Sequence, residues 1–152
     1  METIDPVKAA RVWQRVTGDA PPENREKGLL ALIAQEWTDA ATYLQLSRRI
    51  SGRDSVLLRK MYEQEQAHTA CLKGLYTLIT GTHPTVRAVP AVHADVETTL
   101  RRCYGREMRC LAQYEARVGD PEYGQVYARM AQQEREHCRQ ILELLGRLPP
   151  EK

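Results

Sequence analysis

Glu-x-x-His occurs twice in the chain, at Glu65–His68 and at Glu134–His137. Each copy follows a helical stretch with a lone Glu on its apolar side, Glu36 in the first case and Glu107 in the second. Positions i and i+3 share one face of a helix, so Glu65 and His68 can reach a common point, as can Glu134 and His137. Four Glu and two His are the ligand set with which a four-helix bundle holds two transition-metal ions side by side. Two imidazoles supply one nitrogen to each metal and leave the carboxylates to terminate and to bridge. Two divalent ions also cancel the four buried negative charges. Mixed carboxylate and imidazole ligation suits iron, with manganese as the alternative, whereas structural zinc more usually takes a tetrahedral site with Cys. A single Glu-x-x-His is most often a solvated pair; two copies on apolar seams, each with a carboxylate partner, are a pattern.

Four long segments of helical period must position these side chains, at about residues 23–50, 55–80, 94–118 and 122–145. Stepping three and four residues alternately gives the inner seam of each. The first seam reads Leu29, Ile33, Glu36, Ala40, Tyr43, Ser47, Ile50, and the second Leu58, Met61, Glu65, His68, Leu72, Leu75, Ile79. The third reads Val96, Leu100, Cys103, Glu107, Cys110, Tyr114, and the fourth Tyr123, Tyr127, Met130, Glu134, His137, Ile141, Leu144, Leu148. A carboxylate at a core step is costly unless something compensates it. The ligand candidates interrupt every seam near its middle.

Punctuation separates the segments. Ser51-Gly52-Arg53-Asp54 reads as a Gly stop and an Asp N-cap, Gly81 ends the second segment, and Gly119-Asp120-Pro121 reads as stop, N-cap and first-turn Pro. Glu36 lies 16 residues before Gly52 and Glu65 lies 13 after it; Glu107 lies 12 before Gly119 and Glu134 lies 15 after it. At about 1.5 Å per residue, hairpin partners then differ in height by only ~4–5 Å, so all four carboxylates can share one layer. Residues 81–92, with Pro84 and Pro90, cannot be helical throughout. Extended, they are long enough to run ~40 Å along the bundle and set the second and third helices parallel. The predicted fold is all-α: a four-helix bundle over residues 23–152 with a long crossover between helices 2 and 3. Residues 1–22 form an N-terminal unit whose short helix, about residues 6–16 capped by Asp5, covers one end or side of the bundle.

With those residues in place, the chain resembles the ferritin-like di-iron carboxylate superfamily, and within it the rubrerythrin-like branch. The resemblance covers about residues 25–147. It is carried by Glu36-Trp37-Thr38-Asp39-Ala40-Ala41-Thr42-Tyr43, Glu65-Gln66-Ala67-His68, Glu107 and Glu134-Arg135-Glu136-His137. It implies a ferritin-like bundle with Glu36 and Glu107 as terminal ligands, Glu65 and Glu134 as bridges, and His68 and His137 as terminal nitrogen ligands. It also implies two iron ions, reduction of hydrogen peroxide in an oxidative-stress setting, and a homodimer. Two departures stand out. Cys110 occupies the position, one turn past the third-helix ligand, where rubrerythrins usually carry a further Glu. No rubredoxin module is present, so an external electron donor such as a rubredoxin-type protein is required.

At 152 residues the chain fits one domain with its own core. Its 22 basic and 20 acidic residues nearly balance; with four Glu inside, the outer surface is mildly basic, short of the dense patch that nucleic acid would call for. No run of 18 apolar residues suits a membrane span. The N-terminus has an early acid and no apolar core of signal-peptide type, which predicts a cytoplasmic protein. The four cysteines form no C-x-x-C pair and are expected as reduced thiols.

Other residues admit two readings. Cys110 and Cys103 are either thiolate ligands or redox-active thiols beside the site, or small wall residues, the commoner fate of a free Cys; Cys71 and Cys138 read as packing. Tyr43 and Tyr114 each lie seven residues past a ligand Glu. Their hydroxyls either bond to carboxylates across the bundle or are plain aromatic core. Asp39 is either a partner for a ligand imidazole or an exposed charge. His83 and His93 flank the crossover as exposed residues, and Arg101, Arg102, Arg106 and Arg109 read as a solvated helix face. The function expected first is a di-iron enzyme acting on hydrogen peroxide or O2, with Fe(II) oxidation alongside. The alternatives are ferritin-type iron storage or metal handling, a manganese catalase, and a metal-stabilised bundle without turnover.

Overall fold

A computed structural model describes residues 26–89 and 94–149. Four helices account for most of them: α1 (Leu29–Ser47), α2 (Gly52–Thr80), α3 (Val96–Glu115) and α4 (Gly124–Arg147). No strand occurs among the described residues. The expected helix at residues 6–16 lies outside them, as does His93.

Most seam residues within each helix are buried, with Ile79 and Val96 near helix ends only partly so. Leu29, Ile33, Tyr43, Leu58, Met61, Leu72, Leu100, Cys103, Tyr114 and Ile141 are all fully enclosed. Each large apolar side chain so buried contributes about 1.5–3 kcal/mol. They form two clusters. One gathers Leu29, Ile33, Leu72, Leu75, Cys110, Tyr114, Tyr127 and Met130. The other gathers Tyr43, Leu46, Leu58, Met61, Leu100, Cys103, Ile141 and Leu144. The ligand candidates lie between the two in every helix.

The helices pack mainly as two antiparallel hairpins, α1 with α2 and α3 with α4. Side chains set the register between hairpins. The Arg49 guanidinium, just past α1, donates to the Ala94 carbonyl before α3, while Arg117, just past α3, donates to the Lys27 carbonyl before α1. α1 and α3 therefore run antiparallel. Arg147 at the end of α4 bonds Asp54 at the start of α2 (2.9 Å), so α2 and α4 are antiparallel too. Residues 82–89 follow α2 without regular structure; Val86 packs on the first cluster, and the Val89 N–H donates to Thr38 Oγ1 (3.0 Å).

The ends differ in detail from the punctuation. Gly81 caps α2 as expected, at φ +75° with its N–H on the Thr77 carbonyl (2.8 Å). Asp54 is not the N-cap of α2. That helix starts three residues earlier behind Ser51, which leaves Asp54 in its first turn beside Arg147. Asp95 caps α3 by accepting from the Thr98 N–H (2.6 Å). Asp120 Oδ1 accepts from the N–H groups of Glu122 and Tyr123, but this caps a short turn, and α4 proper begins at Gly124. A Cβ at Gly124 would stand 2.3 Å from the Val118 carbonyl oxygen, so the turn closes only on a glycine.

Candidate metal centre

All six ligand candidates converge. Glu36, Glu65, Glu107, Glu134 and His137 are fully buried, and His68 is 4% exposed. Their donor atoms fall into two groups, each within a 4.8 Å span: Glu36, Glu65, His68 and Glu134 in one, Glu65, Glu107, Glu134 and His137 in the other. Glu65 and Glu134 belong to both. His68 Nδ1 lies 3.2 Å from Glu36 and 3.1 Å from Glu134, and His137 Nδ1 lies 2.6 Å from Glu65. The two imidazoles are 6.0 Å apart.

Two tyrosines brace the carboxylates from opposite sides. The Tyr43 hydroxyl on α1 donates to Glu107 on α3 (2.5 Å), and the Tyr114 hydroxyl on α3 donates to Glu36 on α1 (2.9 Å). Of the two sequence readings, the hydroxyl–carboxylate one holds for both. Burial, with neighbouring negative charge, raises both phenols well above their ordinary value, so both stay protonated as donors. On the outer edge of the imidazoles, His137 Nε2 meets Gln64 Oε1 (2.7 Å), and His68 Nε2 meets Gln133 Oε1. These two glutamines were missed in the sequence. The signal was there: each directly precedes its Glu-x-x-His, so both motifs read Gln-Glu-x-x-His.

Asp39 fits neither of its two readings, and Arg106 departs from the solvated face expected of it. Asp39 is fully buried one turn past Glu36 and takes a bond from Arg106 Nε (2.6 Å), not from an imidazole. Burial outweighs the Arg106 charge and raises Asp39 to about 6. Arg106 also donates to Cys103 Sγ (3.2 Å). Cys103 and Cys110 are buried walls: burial pushes the Cys103 thiol up to about 12 and Cys110 higher still. Cys71, expected as packing, is exposed, and Cys138 is buried. His83 is exposed, as expected.

The carboxylates are poorly satisfied by one another. Both oxygens of Glu65, both of Glu134 and Oε2 of Glu107 accept no hydrogen bond. Five orphaned oxygens in one buried layer are costly as they stand. Burial and the Glu65 charge push Glu107 up to about 8. Burial opposes ionisation of Glu65 too, but the two imidazoles outweigh it and hold Glu65 at about 2. Burial likewise works against a charged His137, yet the Glu107 and Glu65 carboxylates push it up to about 9. A pair of divalent cations fits this donor set on three grounds: oxygen and nitrogen atoms gathered within a short span, two overlapping groups, and four carboxylates in one buried layer.

No helix among the described residues is long and apolar enough to cross a membrane. Comparison with models of known protein families, with curated proteins and with solved structures finds no match to this chain.

Proposed function

We propose that the chain is a rubrerythrin-like oxidoreductase of ferritin-like fold that reduces hydrogen peroxide at a centre of two iron ions, drawing electrons from a separate donor protein. The observation that carries the reading is the pair of overlapping buried Glu/His groups sharing Glu65 and Glu134. Glu36 and His68 would hold one ion and Glu107 and His137 the other, with Glu65 and Glu134 available to both. When bound, such a pair supplies two electrons by cycling between ferrous and ferric states, enough to reduce one peroxide to water. The protein's share is positional. The two apolar clusters exclude water from either end, and Tyr43 and Tyr114 keep Glu107 and Glu36 from swinging, each holding its own proton. The ferritin-like fold brings with it a long crossover between α2 and α3; the antiparallel pairing of α1 with α3 and the Val89–Thr38 bond support that path. The reading further carries a homodimer in the cytoplasm, where free thiols persist.

The test is elemental analysis of anaerobically purified protein, then a stopped-flow peroxide pulse on the Fe(II)-loaded form. Two irons per chain, rapid oxidation and recovery by added reductant are expected, with both metal pairing and turnover abolished in Glu65→Ala/Glu134→Ala. Peroxide reduction surviving in that double variant would sink the proposal. Two manganese ions with oxygen release would replace it by catalase chemistry.

A further inference from the structure

Gln64 and Gln133 stand outside the ligand set, yet their contacts cross the bundle reciprocally. Gln64 on α2 reaches His137 on α4, and Gln133 on α4 reaches His68 on α2. The antiparallel register explains why neither glutamine bonds the histidine one turn along its own helix. Ten residues along α2 from Asp54 to Gln64 match ten back along α4 from Arg147 to His137. Four more, to His68, match four more back, to Gln133. Each glutamine therefore sits level with the other helix's imidazole.

An imidazole can offer a metal only the nitrogen that carries no proton. In both histidines Nδ1 faces the carboxylates, within 2.6–3.6 Å of them, and Nε2 faces a glutamine amide. An amide oxygen only accepts, so it holds the proton on Nε2. We propose that Gln64 and Gln133 are positioning residues, each accepting the Nε2–H of the imidazole on the opposite helix and so reserving Nδ1 of His137 and His68 for the metal. The inference rests on the metal-centre reading. It also accounts for an amide where many metal sites use a carboxylate behind the histidine. The layer already contains four Glu, whose charge two divalent ions cancel; two more carboxylates would leave two buried negative charges without a partner. Because each clamp bridges α2 and α4, it also fixes the ring planes across the hairpins, not merely within one helix.

The experiment uses the full chain, labelled with 15N in histidine and loaded with zinc(II), a diamagnetic probe. NMR reads which ring nitrogen carries the proton and how fast that proton exchanges with water. The wild type is expected to show two Nε2–H protons in slow exchange. Gln133→Leu is expected to speed exchange at least tenfold at His68 alone, and Gln64→Leu at His137 alone, each with zinc affinity down about 10–100-fold. Gln133→Glu, which retains an acceptor, is expected to keep the His68 proton protected. Should a Leu variant fail to fold, Gln133→Met, similar in length and without a strong acceptor, takes its place with the same expectation. Exchange at His68 unchanged in Gln133→Leu or Gln133→Met overturns the assignment. So does zinc bound through Nε2 with the proton on Nδ1, which leaves the metal centre itself standing. A wild type that takes up no zinc overturns both readings together.

Discussion

Every ligand candidate with a hydrogen-bonding neighbour takes it from another helix, and the tyrosines are the cleanest of these bonds to remove. Tyr43 Oη on Glu107 and Tyr114 Oη on Glu36 are buried bonds, a class that contributes about 0.5–1.5 kcal/mol each. Phe has nearly the same shape and no donor. Tyr43→Phe/Tyr114→Phe is therefore expected to fold, to bind cobalt(II) at least tenfold more weakly and to shift its visible absorption. An unchanged spectrum rejects a role for the hydroxyls. The thiols make a contrasting case. Cys103 and Cys110 are close by, but burial keeps them protonated, and neither belongs to the two donor groups.

Among the elements, the α3–α4 connection is the one whose geometry depends most on a single residue. The chain leaves α3 at Glu115, turns through residues 116–123 and enters α4 where Gly124 presses against the Val118 carbonyl. Gly119, the expected helix stop, adopts no left-handed conformation and has open space around its Cα. The two glycines should respond differently to a methyl group. Gly124→Ala is expected to lose about 1–3 kcal/mol through forced opening of the turn. Gly119→Ala should change stability by less than about 0.5 kcal/mol, as surface substitutions away from such features do. Urea unfolding of both variants checks this, and equal losses would mean that the Val118 contact is not what closes the turn.

For the whole molecule, the buried Glu/His layer is where the two hairpins meet. Asp39–Arg106, the two Tyr–Glu bonds and the two Gln–His contacts all join one hairpin to the other. Four carboxylates packed between them push the hairpins apart unless protons or cations intervene. The pH dependence follows from the shifts. Glu107 at about 8 and His137 at about 9 both lie above their unfolded values, roughly 4.3 and 6.5. Each contribution is whole below the unfolded value and is lost as pH rises through the folded one. Glu65, lowered to about 2, acts oppositely and matters only as pH falls below about 4. The metal-free chain is thus expected to melt at progressively lower temperature from pH 5 to pH 9. On the proposed function, metal binding displaces the protons on Glu107 and the imidazoles, and affinity is expected to climb over the same interval. The gap in Tm between zinc-loaded and metal-free protein should widen from pH 5 to pH 8; a gap independent of pH would mean that these groups do not bind the ion.

Sequence alone determined the four helices, their buried seams and the gathering of Glu36, Glu65, His68, Glu107, Glu134 and His137, because period and spacing are local properties that a helix converts directly into faces and heights. Their ends were legible only to within a few residues: a cap depends on which backbone groups find partners, and Ser51 and Asp54 compete over one turn. What only the tertiary structure decided is who meets whom between helices. Asp39 meets Arg106 only because α3 lies against α1, and Gln64 and Gln133 meet the far histidines only because the antiparallel register sets each beside one. Those pairings depend on the relative height and rotation of whole helices, which packing of both apolar clusters sets at once and no local stretch of sequence encodes.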